Sequence, residues 1–181
     1  MITRSKIIHL LWLAMLLMLV GCNGRLSLIK DAIRFYNSTV SFPDKMLCIE
    51  NGDTATVAIQ LLSKPLFVDY YSPDECSDCA LNTMREKLRM ANYSKDNGLF
   101  DYMVILAPPE HERESVVEKA MDMTLPLCIY IDVSLFFELE NVIPSNPVLH
   151  SFLLDANHTP IYSGNPLHDY KHRVEFEERL K

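Results

Sequence analysis

Glycine is scarce in this chain, at five in 181 residues. No glycine-rich turn opens a helical segment, which removes the phosphate-cradling loops of nucleotide-binding proteins. Basic residues are outnumbered: 17 Lys and Arg stand against 24 Asp and Glu, for a net charge of −7. The acidic residues are dispersed, and no nucleic-acid partner is expected. His111, His158, His168 and His172 scatter over turns and helix faces without a metal-ligand spacing, so neither a metal nor another cofactor is expected. Internal repeats, low-complexity tracts and a Ser/His/Asp arrangement for nucleophilic catalysis are missing as well. So is an apolar run long enough to cross a membrane: Ile7–Val20, broken only by His9, falls short of the roughly 20 residues a spanning helix needs.

What that run does fit is a secretion signal. Arg4 and Lys6 precede it, and Leu19-Val20-Gly21-Cys22 follows, a small residue before a cysteine that resembles a lipobox. The expectation is a signal peptide over 1–21 and acylation (palmitate among the chains) of Cys22, which becomes the first residue of a lipid-anchored envelope protein. The plainer reading is an ordinary signal with Cys22 incidental. Asn23-Gly24-Arg25 carries no acidic run, which favours the periplasmic side of the membrane. Loss of Arg4 and Lys6 with the leader takes the net charge to −9 and leaves 160 residues, enough for one domain with a sizeable core. The exported compartment is oxidising, so disulfides are allowed.

Hydrophobic periodicity supplies the elements. Leu26, Ile29, Ile33 and Tyr36 predict a short amphipathic helix over 25–37. Met46–Glu50 reads as a strand closed by Asn51-Gly52, and Thr54, Thr56 and Val57 incline 54–62 to strand. The pattern then alternates. Strand Leu66–Tyr71 leads to a helix from Ser77 to Asn97-Gly98, with Leu81, Met84, Leu88 and Ala91 on one face. Strand Phe100–Ala107 leads, across Pro108-Pro109, to a helix over Glu110–Met121. Strand Leu127–Asp132 leads to a short helix over Ser134–Glu140 and a proline-punctuated loop, Ile143–Pro147. Strands His150–Asp155 and Ile161–Ser163 form a hairpin, and a last helix runs from Leu167. The fold class expected is α/β: a three-layer mixed sheet with right-handed βαβ crossovers and a C-terminal hairpin plus helix. The chain divides into 1–21 (signal), 22–44 (lipid anchor, short helix and linker) and 45–181 (the domain).

Five cysteines are present. With Cys22 assigned to lipid, Cys48, Cys76, Cys79 and Cys128 permit three pairings, and the close spacing of Cys76 and Cys79 makes them the natural pair. Cys48 and Cys128 sit in apolar strand contexts and read as buried inert thiols, with a second disulfide as the other option. The pair Cys76-Ser77-Asp78-Cys79 lies between a strand and the mouth of a helix. Residues three apart on a first helical turn fall within the Cα separation a disulfide needs. The free amides and positive dipole end of the helix favour a thiolate on the first cysteine. Cys76 is then the exposed nucleophile and Cys79 the buried resolving thiol, with exchange running through a mixed disulfide on Cys76. A structural zinc site would need Cys48 and Cys128 as further ligands, and neither has the spacing for it. A merely structural disulfide is the quieter alternative.

Leu66-Phe67-Val68-Asp69-Tyr70-Tyr71-Ser72 before the cysteine pair, and Phe152-Leu153-Leu154-Asp155 before a hairpin and closing helix, resemble the thioredoxin-like fold. The extra strand and helix before the final hairpin resemble the TlpA/ResA-type thiol–disulfide oxidoreductases, over roughly residues 45–181. The resemblance implies exchange with protein thiols or disulfides and a partner that recharges the pair. It also implies a buried strand aspartate that moves the proton of the resolving thiol, here Asp69, one residue farther from the cysteines than in the family. A substrate-facing loop is implied next to the pair, carrying Pro147, Leu149 and His150. In the family a cis-proline stands just before the following strand; that place is held here by Leu149, and the nearest proline is Pro147. Glu75 replaces a tryptophan, and Ser77-Asp78 replaces Gly-Pro. Asp74, Glu75 and Asp78 place negative charge near Cys76, which disfavours the thiolate and predicts a reductant or slow oxidant rather than a strong oxidant. From a different functional class, the chain reads as a non-catalytic adaptor that keeps the fold to bind a partner protein.

Overall fold

The computed structural model describes residues 28–59 and 64–181. The readings placed on 1–21 and on Cys22 lie outside the described residues. Helix α1 covers 28–36. After it come β1 (Lys45–Glu50), β2 (Asp53–Ala58), β3 (Leu66–Tyr71), α2 (Ser77–Asn97), β4 (Asp101–Leu106), α3 (Arg113–Asp122), β5 (Ile129–Ile131), α4 (Phe136–Glu140), β6 (Ser151–Leu154), β7 (Pro160–Ser163) and α5 (Tyr170–Arg179).

The strands form one sheet in the order β2-β1-β5-β4-β3-β6-β7. β3, β4 and β5 are parallel neighbours, as strands joined by helical crossovers must be. β6 runs antiparallel to β3, and β7 antiparallel to β6. A β-α-β unit and a β-β-α unit thus meet at β3 and β6, and the fold is thioredoxin-like. At the far edge β1 adds antiparallel to β5 and carries β2 with it. The two-residue turn between β1 and β2 is Asn51-Gly52, both left-handed at φ 54° and 85°, the backbone that matches strand twist.

Side chains alternate across the sheet and make it three-layered. Val68, Tyr70, Met103, Ile105, Phe152 and Leu154 pack under Phe35 of α1 and Phe137 of α4. On the other face Val104, Leu106, Ile129 and Ile131 meet Ala80, Leu81 and Met84 of α2 and Val116 and Ala120 of α3. Phe176 of α5 closes the same side against Phe67, Phe100 and Leu153. The stretch 28–44, read from the sequence as a helix and linker, is docked rather than free, because Phe35 and Val40 are buried in the core.

Three local differences have physical causes. α3 begins at Arg113 rather than Glu110, because 110–112 tighten into turns, Glu112 N–H to Pro109 O at 3.0 Å and Arg113 N–H to Glu110 O at 3.4 Å. The proline-punctuated loop closes on a 3₁₀ turn, Pro147–Leu149, capped by the Asn146 side chain accepting from the Val148 N–H. Cys48 and Cys128, read from the sequence as inert thiols, are joined in a disulfide with Cα atoms 5.7 Å apart. The β1–β5 register sets Cys48 opposite Tyr130, so Cys128, two residues earlier, is its diagonal neighbour on the same face. That pairing depends on an antiparallel contact between strands 80 residues apart, which periodicity does not reveal.

Candidate active site

β3 ends at Tyr71, and a turn over 72–75, closed by the Glu75 N–H on Ser72 O at 3.0 Å, delivers the chain to α2. Cys76 is the N-cap of that helix: its backbone is extended and its sulfur accepts the Cys79 N–H at 3.2 Å. One of the free amides of the first turn is therefore spent on Cys76. Cys76 and Cys79 are joined in a disulfide with Cα atoms 5.2 Å apart, and both residues are exposed. Exposure of Cys79 corrects its reading as a buried resolving thiol. The inward stripe of α2 is already taken by Ser77, Ala80, Leu81 and Met84, which leaves Cys79 on the outward flank.

The acidic turn is largely compensated. Asp78 pairs with Lys119 of α3 at 2.7 Å. Glu75 folds back, accepting the Ser72 N–H at 2.8 Å and meeting His150 Nδ1 at 2.7 Å. Burial pushes the Glu75 carboxyl upward, but the bonds from His150 and Ser72 outweigh it and hold it below its ordinary value. Asp74 remains exposed to solvent. The bare negative cluster expected around Cys76 is therefore not what surrounds it.

His150 is 4% exposed. Its ring lies between Glu75 and the Pro144 carbonyl, which Nε2 meets at 2.7 Å. Burial pushes the imidazole pKa down, while Glu75, Pro144 and the charge of Glu138 push it up more strongly, for a net rise. Of the loop residues singled out from the sequence, Pro147 is exposed, Leu149 half-buried and His150 turned inward. All peptide bonds among the described residues are trans, so Asn146-Pro147 does not adopt the family's cis form. The loop instead approaches the cysteine turn through His150.

Asp69 is buried on the α2 side of β3, as the alternation of the strand requires. Its carboxylate accepts from Tyr102 Oη at 2.5 Å and from Ser151 Oγ, and it pairs with Lys87 Nζ at 2.9 Å. Burial lowers the Lys87 ammonium, but Asp69 and Tyr71 more than offset it and its pKa is raised. Burial first, then Asp69, drives the Tyr102 hydroxyl well above its ordinary range. Lys87 lies eight residues beyond Cys79, about 12 Å along a helix. Nearer the cysteines, Tyr71 Oη meets Thr83 Oγ1 at 3.1 Å.

Sequence reasoning missed Lys87, Lys119 and the Glu75–His150 pairing. Lys87 carried a signal, since it stands in the inward register of α2 beside Met84, Leu88 and Ala91, and an inward lysine demands a buried acid. The Glu75–His150 pair carried none, because it joins residues 75 apart.

No protein-family model and no curated protein matches the chain. Among solved structures it is similar to the thioredoxin domain of a thiol-disulfide oxidoreductase from Bacteroides vulgatus, at 17% identity over 80% of this chain and 99% of that one, TM-score 0.46. It is similar to an exposed lipoprotein thioredoxin from Streptococcus pneumoniae, at 12% identity over 75% and 98%, TM-score 0.47. A putative thioredoxin from Neisseria meningitidis stands at 19% identity over 79% and 91%, TM-score 0.48.

Proposed function

We propose that the protein exchanges disulfides with protein thiols through Cys76 and Cys79, held at the envelope membrane by lipid on Cys22. The observation that carries the reading is the exposed Cys76–Cys79 disulfide at the mouth of α2, with the Cys76 sulfur accepting the Cys79 N–H. That amide favours negative charge on Cys76 when the pair is reduced, and it separates the roles of the two cysteines without requiring Cys79 to be buried.

In the reduced protein the Cys76 thiolate attacks a sulfur of a substrate disulfide. A Cys76–substrate bond forms, and the substrate's other sulfur leaves as a thiolate and takes a proton from water. The Cys79 thiol, losing its proton, attacks Cys76; the intramolecular disulfide forms, and the second substrate thiol leaves. Two electrons pass from the protein dithiol to the substrate. A dithiol protein must then reduce the pair, and with a disulfide-bearing partner the same steps run in reverse. Asp69, locked to Lys87, is read as a structural charge beneath the site, and proton exchange at the exposed Cys79 is assigned to solvent.

The test is alkylation of the free thiols with and without mild reductant, followed by Cys79→Ser in the whole chain. The expected results are two thiols released together from the 76–79 pair and mixed disulfides trapped on Cys76. A pair that resists reduction, with a variant that traps nothing, would overturn exchange in favour of the adaptor reading.

A further inference from the structure

The Glu75–His150 pair is not part of the exchange steps, yet it stands immediately before the nucleophile and is nearly enclosed, with side-chain exposures of 21% and 5%. Its protonation follows from its partners. The Pro144 carbonyl can only accept, so Nε2 carries a hydrogen. Glu75 Oε2 meets Nδ1 and also accepts the Ser72 N–H. An oxygen already receiving an amide hydrogen is poorly placed to hold a proton of its own, so Nδ1 carries a hydrogen too. The arrangement suits an imidazolium facing a carboxylate, and the raised His150 and lowered Glu75 agree with it.

The surroundings support that state from each element packed on the ring. Tyr70 of β3 lies tilted against it, ring centroids 5.5 Å apart and planes at 56°, and gives its hydroxyl hydrogen to Glu138 of α4 at 2.9 Å. Glu138 thereby turns a second carboxylate toward the histidine, and Asp132 at the end of β5 adds negative charge near Tyr70. The main chain of His150 is fixed as well: its carbonyl accepts the Tyr70 N–H at 2.9 Å and its N–H bonds Pro147 O at 3.0 Å. One residue thus ties the 144–150 loop, the end of β3 and the cysteine turn together.

We propose that His150 is a positioning residue for exchange at Cys76: as an imidazolium it turns the Glu75 carboxylate back onto the turn and cancels its charge, so that the thiolate of Cys76 forms beside a neutral pair. The proposal rests on Cys76 being the exchanging sulfur. Without the histidine an uncompensated carboxylate stands one residue from the nucleophile, and like charge disfavours the thiolate.

The experiment measures the pH dependence of Cys76 alkylation, by mass spectrometry on the chemically reduced whole chain, in the wild type, His150→Gln, Glu75→Gln and the double variant. His150→Gln should raise the apparent thiol pKa of Cys76 by about one unit, a roughly tenfold loss of thiolate at a given lower pH. Glu75→Gln should leave it unchanged or lower it, and the double variant should lose the rise. Imidazole NMR on the wild type should show His150 doubly protonated at pH 6. A His150→Gln profile that matches wild type, shifts of one sign in all three variants, or a neutral His150 at pH 6 would overturn the proposal. If His150→Gln fails to fold, the Glu75→Gln profile and the imidazole spectrum still decide. Because the thiol is titrated after chemical reduction, a protein that never cycles its disulfide would count against exchange and leave this measurement readable.

Discussion

Two buried charge pairs flank β3, and each makes a residue-level prediction with a sign. Glu75 is held below its ordinary 4.5 by His150 and Ser72 against the upward push of burial, and His150 is held above its ordinary 6.5 by Glu75, Pro144 and Glu138 against the downward push. A depressed carboxyl gives stability that is present above its unfolded pKa and lost as pH falls through the folded one. A raised imidazole gives stability that is full below its unfolded pKa and lost as pH rises through the folded one. The pair therefore stabilises most between those two limits. Urea midpoints of the wild type should fall as pH is raised from 6 through the folded pKa of His150. His150→Gln should flatten that decline, and a decline of equal size in the variant would assign it to other groups. Asp69–Lys87 acts differently, since Asp69 is 3% exposed and its removal strands an ammonium. Asp69→Asn should cost about 3 kcal/mol in denaturant unfolding, with part recovered when Lys87→Gln is added. A loss below about 1 kcal/mol would show that water reaches the pair.

At the scale of elements, α2 shows what local chemistry fixes and what it leaves to the tertiary structure. Its inward stripe, its start after Cys76 and its stop before Gly98 were all readable from residue types. Gly98 sits at φ 63° with its N–H on Ser94 O, and a Cβ built there meets nothing within 4 Å. Gly98→Ala should therefore cost only the left-handed backbone penalty, about 1 kcal/mol. A thermal or urea midpoint that does not move would show that the helix end relaxes into another cap. The parallel order of β3, β4 and β5 was legible for the same local reason: apolar runs separated by helical periodicity permit little else. The outward position of Cys79 follows from the inward stripe of α2, which Ala80, Leu81 and Met84 occupy; its reading as a buried thiol came from the resolving role assigned to it and not from the periodicity. The partner of Glu75 was not legible, because a turn residue's charge is set by whatever loop packs above it, here one that begins 69 residues later with Pro144.

For the whole molecule, the two disulfides divide the work by position and by loop length. Cys76–Cys79 spans 3 residues and lies beyond the C-terminal end of β3, whereas Cys48–Cys128 spans 80 and joins β1 to the residue just before β5, at the opposite, N-terminal end of the parallel strands. Constraint of the unfolded chain grows with the closed loop, so the long bridge is worth about 4 kcal/mol and the short one about 2 kcal/mol on chain-entropy grounds. In the proposed exchange the short bridge opens and closes while the long one holds the β1–β2 edge to the sheet. Cys48→Ala with Cys128→Ala should lower the thermal midpoint by about 10 °C and leave Cys76 alkylation and mixed-disulfide trapping by Cys79→Ser unchanged. Cys76→Ala with Cys79→Ala should show the reverse balance, with a smaller loss of stability and no trapping. If the first double variant instead abolishes trapping while still folded, the two bridges are coupled across the sheet, and Cys48–Cys128 belongs to the redox chemistry rather than to the scaffold.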